Sequence, residues 1–380
     1  MTDFSSLDLL LEGRRVVICA GPGGVGKTTT SAAIAVGLAR RGAKVAVVTI
    51  DPARRLADAL GVQELGNEPR RVDPDLFDAA GFALQGELWA MMLDSKRTFD
   101  DLIERLAPSA RVRDEVLGNR IYAELSTAVA GSQEFTAIAK LYELDAEGDY
   151  DVVVLDTPPS RNTLDFLEAP RRISGFFQGR AIRLFLRPAG FGGRLLGAGT
   201  GAVFGLMKRA TGIDLLEDLS VFFRSLSGLV EGFVERARHV EALLSDEATA
   251  FVIVTSPEHG AVEEATFLQR RLSDGDLALA AVVVNRVHQA DELSQDDAQA
   301  LADLLGGELA QRVQAASADA LALERRDHQG LERLRASMNG APVLTLPRFD
   351  DDVHDAAGLA QVAQRLYAPP GEGVGARTLG

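Results

Sequence analysis

An apolar run, a glycine-rich turn and a helical pattern succeed one another between residues 15 and 42, and this succession constrains the fold more than any other feature. The run is "RVVICA", the turn "GPGGVGKTTT" from Gly21 to Thr30, and the pattern "SAAIAVGLARRG". Gly21, Gly26, Lys27 and Thr28 fill the spacing G-x-x-x-x-G-K-[ST] of a phosphate loop. Glycines let the backbone wrap tightly and aim N–H groups inward at oxygens, and the following helix adds the positive end of its dipole. The candidate cradle is therefore Gly21, Gly23, Gly24, Val25, Gly26, Lys27, Thr28 and Thr29. Lys27 would reach the β- and γ-phosphates, and the Thr28 hydroxyl would coordinate Mg²⁺. Only five of the forty basic residues are lysines, and one of them stands here.

Further Val/Ile/Ala-rich runs lie beyond the loop: "AKVAVVTID", "YDVVVLDTPP", "ATAFVIVTSPE", "LALAAVVVNRV" and "APVLTLPRF". They are apolar on both faces, as buried parallel strands are, and helical patterns separate them. The expected fold is α/β, a P-loop NTPase core with a mostly parallel sheet flanked by helices. Two stretches break the rhythm. No strand-like run is read between Gln85 and Glu147, where Phe99, Leu102, Ile103 and Leu106 keep helical spacing. Between Asp165 and Ser245 a second helical stripe runs from Leu219 to Leu244, with Asp214 and Glu217 resembling a capping box before it. The predicted organisation is a core of residues 1–84, 146–164 and 246–367, helical insertions at 85–145 and 165–245 forming one subdomain, and a disordered Pro/Gly-rich tail at 368–380.

Composition narrows the function classes. A formal charge of −15 argues against a nucleic-acid partner, which needs clustered cations. One cysteine, Cys19, leaves no intrachain disulfide and no cysteine-rich metal site. The N-terminus lacks the basic and apolar regions of a secretion signal, and no uncharged apolar stretch is long enough to span a bilayer. The expected location is the cytoplasm.

Nucleotide hydrolysis also needs acids near the metal. Asp156 ends the strand of "YDVVVLDTPPS" and reads as the second, metal-side carboxylate. Asp51 ends "VAVVTID", at a strand carboxyl end where open α/β sheets bind ligands, and could orient or deprotonate the attacking water. The strand "LALAAVVVNRV" ends in Asn285-Arg286-Val287-His288, without the aspartate that guanine readers place after an Asn-Lys pair. An asparagine amide can pair with the N6/N7 edge of adenine, which favours ATP.

These blocks together resemble the ArsA-like ATPases, the group of arsenite-pump ATPases and the ATPase that delivers tail-anchored membrane proteins. The likeness runs over roughly residues 14 to 367. It is carried by the glycine-rich loop, "TIDPARRLADAL" as a first switch, "LWAMMLD" entering the helical subdomain, "DTPPSRNTLDFLEAP" as a second switch, and "VVVNRV" with "TLPRF" around the base. The resemblance implies that Asp51 activates water, Asp156 holds Mg²⁺ through its shell, Asn285 reads adenine and Pro347 belongs to the adenine-side loop. It also implies two ATPase halves facing each other. With one phosphate loop, this chain would need a second chain, identical or paralogous, and its helical subdomain would serve a membrane-protein client or membrane partner.

The sequence departs from the family at Pro22, where members usually carry a lysine that reaches the partner's phosphates. Proline supplies neither charge nor N–H. A paralogous partner that keeps the lysine, an arginine from Arg54, Arg55 or Arg161, or weak hydrolysis would each account for it, and we favour the first. A weakly hydrolysing, nucleotide-sensing subunit is the alternative function. Metalloid capture takes about three thiolates in the family's arsenite-stimulated branch, so a chain with Cys19 alone is expected to take no metalloid. The glycine-rich stretch "RPAGFGGRLLGAGTGAVFGLMK" reads either as a lid or groove wall for an apolar client helix or as a loop and packed helix.

Overall fold

The computed structural model describes residues 7–50, 55–62, 64–120, 122–123, 132–157, 171, 175, 229–290 and 292–368. Eight strands form one sheet, in chain order β1 (Val16–Ala20), β2 (Lys44–Thr49), β3 (Arg70–Arg71), β4 (Glu87–Met92), β5 (Val152–Asp156), β6 (Thr249–Thr255), β7 (Leu279–Val287) and β8 (Val343–Pro347). Their spatial order is β3-β4-β2-β5-β1-β6-β7-β8. Every neighbouring pair is parallel except the short β3, which runs antiparallel to β4. All six runs read as strands in the sequence lie in this sheet. β1, β5 and β6 are buried from end to end, which explains why their residues are apolar on both faces.

The helices in the described residues are α1 (Leu7–Leu11), α2 (Lys27–Arg40), α3 (Arg55–Ala59), α4 (Asp75–Ala79), α5 (Ser95–Leu106), α6 (Ala110–Leu117), α7 (Ser132–Glu147), α8 (Val230–Leu244), α9 (His259–Asp274), α10 (Gln295–Leu305), α11 (Gly307–Ser337) and α12 (Ala356–Tyr367). The chain divides into two compact units. One comprises Met1–Met92, Tyr150–Thr163 and Ser245–Gly380 and carries the sheet; the other comprises Leu93–Asp149 and Leu164–Leu244.

One expectation is corrected. Residues 85–92 were expected to begin a helical insertion without a strand, but "ELWAMM" forms β4 and pairs with β2 in register from Lys44 opposite Glu87 to Thr49 opposite Met92. The run has no β-branched residue and mixes Trp and Met with Glu, so propensity gave no signal. Its tertiary place decides the matter: Leu88, Ala90 and Met91 are fully enclosed.

In the second unit, Leu102, Ile103, Val116, Leu229 and Phe233 form a small core between α5, α6, α7 and α8. The Asp94 side chain accepts from the Arg97 backbone N–H at 2.7 Å and starts α5. Of the long stripe read up to Leu244, Leu229, Phe233, Ala237, Val240 and Leu244 are buried. Its first part, the Asp214 capping box, the glycine-rich stretch and the residues of the tail beyond 368 lie outside the described residues.

In the first unit the helix after the glycine-rich loop is held from behind. Tyr367 of α12 is buried, and its hydroxyl donates to the Ile34 carbonyl of α2 at 2.9 Å. Gly37 makes room for that ring, since a Cβ there would lie 2.1 Å from a Tyr367 ring carbon. The loop helix is thus fixed between the sheet and the last helix.

Candidate functional site

The glycine-rich loop joins β1 to α2 at the carboxyl end of the sheet, with β5 on one side of β1 and β6 on the other. This is where a doubly wound sheet opens a crevice. Two glycines answer to specific crowding. A Cβ on Gly21 would lie 1.9 Å from the Val254 carbonyl oxygen of β6, and one on Gly26 would lie 2.4 Å from the Asn285 amide nitrogen. Gly24 and Gly26 also have φ values of 80° and 91°, in the left-handed region that side chains disfavour. Gly23 and Gly24 face solvent while Val25 is buried against the core.

Lys27 opens α2 and is buried. Its ammonium folds back into the loop, donating to the carbonyl of Gly21 at 3.0 Å and to that of Pro22 at 2.8 Å. The Pro22 carbonyl therefore takes part in holding Lys27, while its ring offers no donor. The ammonium thus lies within the ring of backbone that would enclose a phosphate.

Asp156, at the end of β5, is 1 % exposed and gathers hydroxyls. Thr28 donates to Oδ2 at 2.7 Å, Thr49 donates to the same oxygen at 2.9 Å, and Ser31 lies 3.4 Å from Oδ1. Strand register explains the convergence, because Asp156 stands opposite Thr49 of β2 on one side and Cys19 of β1 on the other. Thr28 and Ser31 are three residues apart on α2, so both face the carboxylate. A buried carboxylate facing a hydroxyl at the foot of a phosphate loop is the oxygen donor set that suits Mg²⁺. Thr49 and Ser31 were not singled out from the sequence; each is a polar residue closing or lining an apolar element two positions from a named site residue, Asp51 and Thr29, which is the signal that could have found them.

Beyond the loop the crevice continues into a cavity of about 670 Å³ lined by Gly24, Gly26, Thr29, Asn285, Pro347 and Arg348, among others. Asn285 donates from Nδ2 to the Val25 carbonyl at 2.9 Å and accepts the Arg286 backbone N–H at Oδ1 over 2.9 Å. Arg286 has φ of 61°, and the pairing of β7 with β8 shifts register between Val284 and Val287. That irregularity turns Asn285 toward the loop. Pro347 is paired opposite Val287, so the two base-side residues expected from the sequence come from neighbouring strand ends. Arg55, at the start of α3, also lines this cavity. Asp51, Arg54 and Arg161 lie outside the described residues.

Cys19 is enclosed in β1. Burial, more than any neighbour, pushes its thiol up to about 12. It packs in the core of the sheet unit.

A family model described as anion-transporting ATPase matches residues 14–304, most of the chain. The chain belongs to this ArsA-like ATPase family. Similar members include ATPase get3 of Aspergillus terreus, 28 % identical over 276 residues that cover 72 % of this chain and 73 % of that protein. ATPase GET3 of Malassezia globosa is 30 % identical over 274 residues, 71 % and 72 % of the two chains. ATPase ARSA2 of Chlamydomonas reinhardtii is 28 % identical over 274 residues, 71 % and 67 %. As a member of the anion-transporting ATPase family, this protein is a P-loop, ATP-binding ATPase.

Proposed function

We propose that this ATPase hydrolyses Mg²⁺-ATP with its triphosphate on the Gly21–Thr29 loop and its base toward Asn285 and Pro347. The observation that carries the reading is the hydroxyl set closed on the buried Asp156 carboxylate, with Thr28 at 2.7 Å. Thr28 and Asp156 would hold Mg²⁺, Thr28 directly and Asp156 through its shell. When bound, the ion neutralises charge on the β- and γ-phosphate oxygens. Lys27 exchanges its contacts with the Gly21 and Pro22 carbonyls for phosphate oxygens, so a formed cradle needs no large rearrangement. The loop N–H groups and the start of α2 stabilise negative charge. Asp51 orients the attacking water and takes up its proton. Asn285, already anchored to the loop through Val25, retains a second amide hydrogen for an adenine acceptor.

The working unit in this reading is a cytoplasmic dimer whose two sites face each other, with hydrolysis coupled to opening and closing. Among the described residues no helix is long and apolar enough to cross a membrane. A membrane-protein client is proposed from the family resemblance, with the helical unit as its receiver. Measuring steady-state ATP hydrolysis while titrating Mg²⁺ tests the central part: turnover that is absent without the ion and saturable with it is expected, and ion-independent turnover contradicts it.

A further inference from the structure

The base end of the cavity holds a chain of contacts that nothing in the phosphate loop requires. Asp327, on the long helix α11, has a fully enclosed side chain. Its Oδ2 accepts both the backbone N–H of His288, at 2.9 Å, and the His288 ring at Nδ1, at 2.6 Å. Its Oδ1 accepts from Arg326 Nη2 at 2.9 Å. The other ring nitrogen, His288 Nε2, lies 3.2 Å from Arg348 Nη1. A guanidinium can only donate, so Nε2 accepts and Nδ1 carries the proton given to Asp327.

The chain is built on rigid parts. His288 directly follows β7 and Arg348 directly follows β8, and the Arg348 backbone N–H donates to the Val287 carbonyl at 2.9 Å. Helix α11 is pressed against the cavity wall three residues after Asp327, where a Cβ on Gly330 would lie 2.2 Å from the Pro257 carbonyl oxygen. Pro257, His288, Arg326 and Arg348 all line the cavity.

The chemistry of this arrangement differs from a salt bridge. A neutral imidazole fixes the guanidinium without neutralising it, although Asp350, Asp351 and Asp352 follow within four residues. A planar cation held in one orientation beside an aromatic ligand is suited to stacking on its face. We propose that Arg348 is a base-contacting residue of the nucleotide site and that His288, oriented by Asp327, is its positioning residue. This rests on the reading that the nucleotide base occupies the Asn285–Pro347 end.

Calorimetric titration of the full chain with Mg²⁺-ATP and with Mg²⁺-tripolyphosphate, which has the charge but no base, tests it. Arg348→Ala is expected to weaken ATP by roughly threefold to thirtyfold, with tripolyphosphate unchanged within about twofold. The unchanged tripolyphosphate binding also certifies that the variant is folded. His288→Ala should act in the same direction, and His288→Gln, whose amide oxygen can accept from Arg348, should restore most of the loss. In the double variant, removing His288 should add nothing once Arg348 is gone. Independent, additive losses, or equal losses for the two ligands, overturn the proposal. Equal affinity of the wild-type protein for both ligands overturns it while leaving the phosphate-loop reading intact; binding of neither ligand overturns both.

Discussion

Thr28 donates to Asp156 Oδ2 over 2.7 Å and so joins the first turn of the loop helix to the end of a strand 128 residues later. Thr49 and Ser31 approach the same carboxylate. Hydrogen bonds of this kind hold the carboxyl group aimed while it is enclosed. Asp156→Asn keeps the shape but removes the charge and turns an amide toward hydroxyl donors. ATP turnover is expected to fall by roughly a hundredfold or more, and a Mg²⁺ titration of steady-state hydrolysis checks whether added ion recovers any of it.

Pro22 stands where the family resemblance leads one to expect a lysine, and a proline ring supplies no ammonium. Of the three arginines considered for that role, Arg55 is the one within the described residues, and it lines the same cavity as Gly24 and Gly26. If it supplies the missing charge, Arg55→Ala lowers kcat by about a thousandfold, the low end of what an arginine finger contributes, while KM changes little. Unchanged kcat here and in Arg54→Ala and Arg161→Ala favours a second chain, and mixing with a lysine-bearing paralogue should then raise turnover.

The acid limit of stability should depend on Asp327. Burial by itself would raise this carboxyl, but the backbone and ring donors of His288 together with Arg326 outweigh it and hold it below the usual carboxylate range. A depressed folded-state value contributes stability that is present above the unfolded value of about 3.9 and lost as pH falls through the lower folded one. Asp327→Asn should therefore lower stability at neutral pH and show a flatter stability curve below about pH 4. Chemical denaturation across pH measures both.

Arsenite is expected to leave ATP turnover unchanged. The sole thiol is enclosed in β1 and pushed up to about 12 by burial, so neither a thiolate nor a second sulfur meets the ion there. Turnover assays with and without arsenite check this, and stimulation would count against it.

Much of this was legible in the chain because the relevant signals are local. The loop spacing, the doubly apolar strands and the carboxylate at the end of β5 each declare themselves within about ten residues. β4 was hidden, since Glu87–Met92 is a strand only by virtue of lying beside β2. The hydroxyl partners of Asp156 were hidden for a related reason, because strand register and helix facing, not spacing, bring Thr49 and Ser31 to it. The Asp327–His288–Arg348 chain joins the histidine at the end of β7 to a helix residue 39 positions on and to the end of β8 60 positions on, which no motif marks.

The central claim is that Lys27, now held by the Gly21 and Pro22 carbonyls, closes a phosphate cradle. Titration calorimetry with Mg²⁺-ATP on the wild-type chain and on Lys27→Ala tests it most directly, with the unfolding temperature followed for both. We predict saturable binding by the wild type and a loss of order a hundredfold in the variant. No heat of binding in the wild type, or equal affinity in a folded variant, would contradict the account.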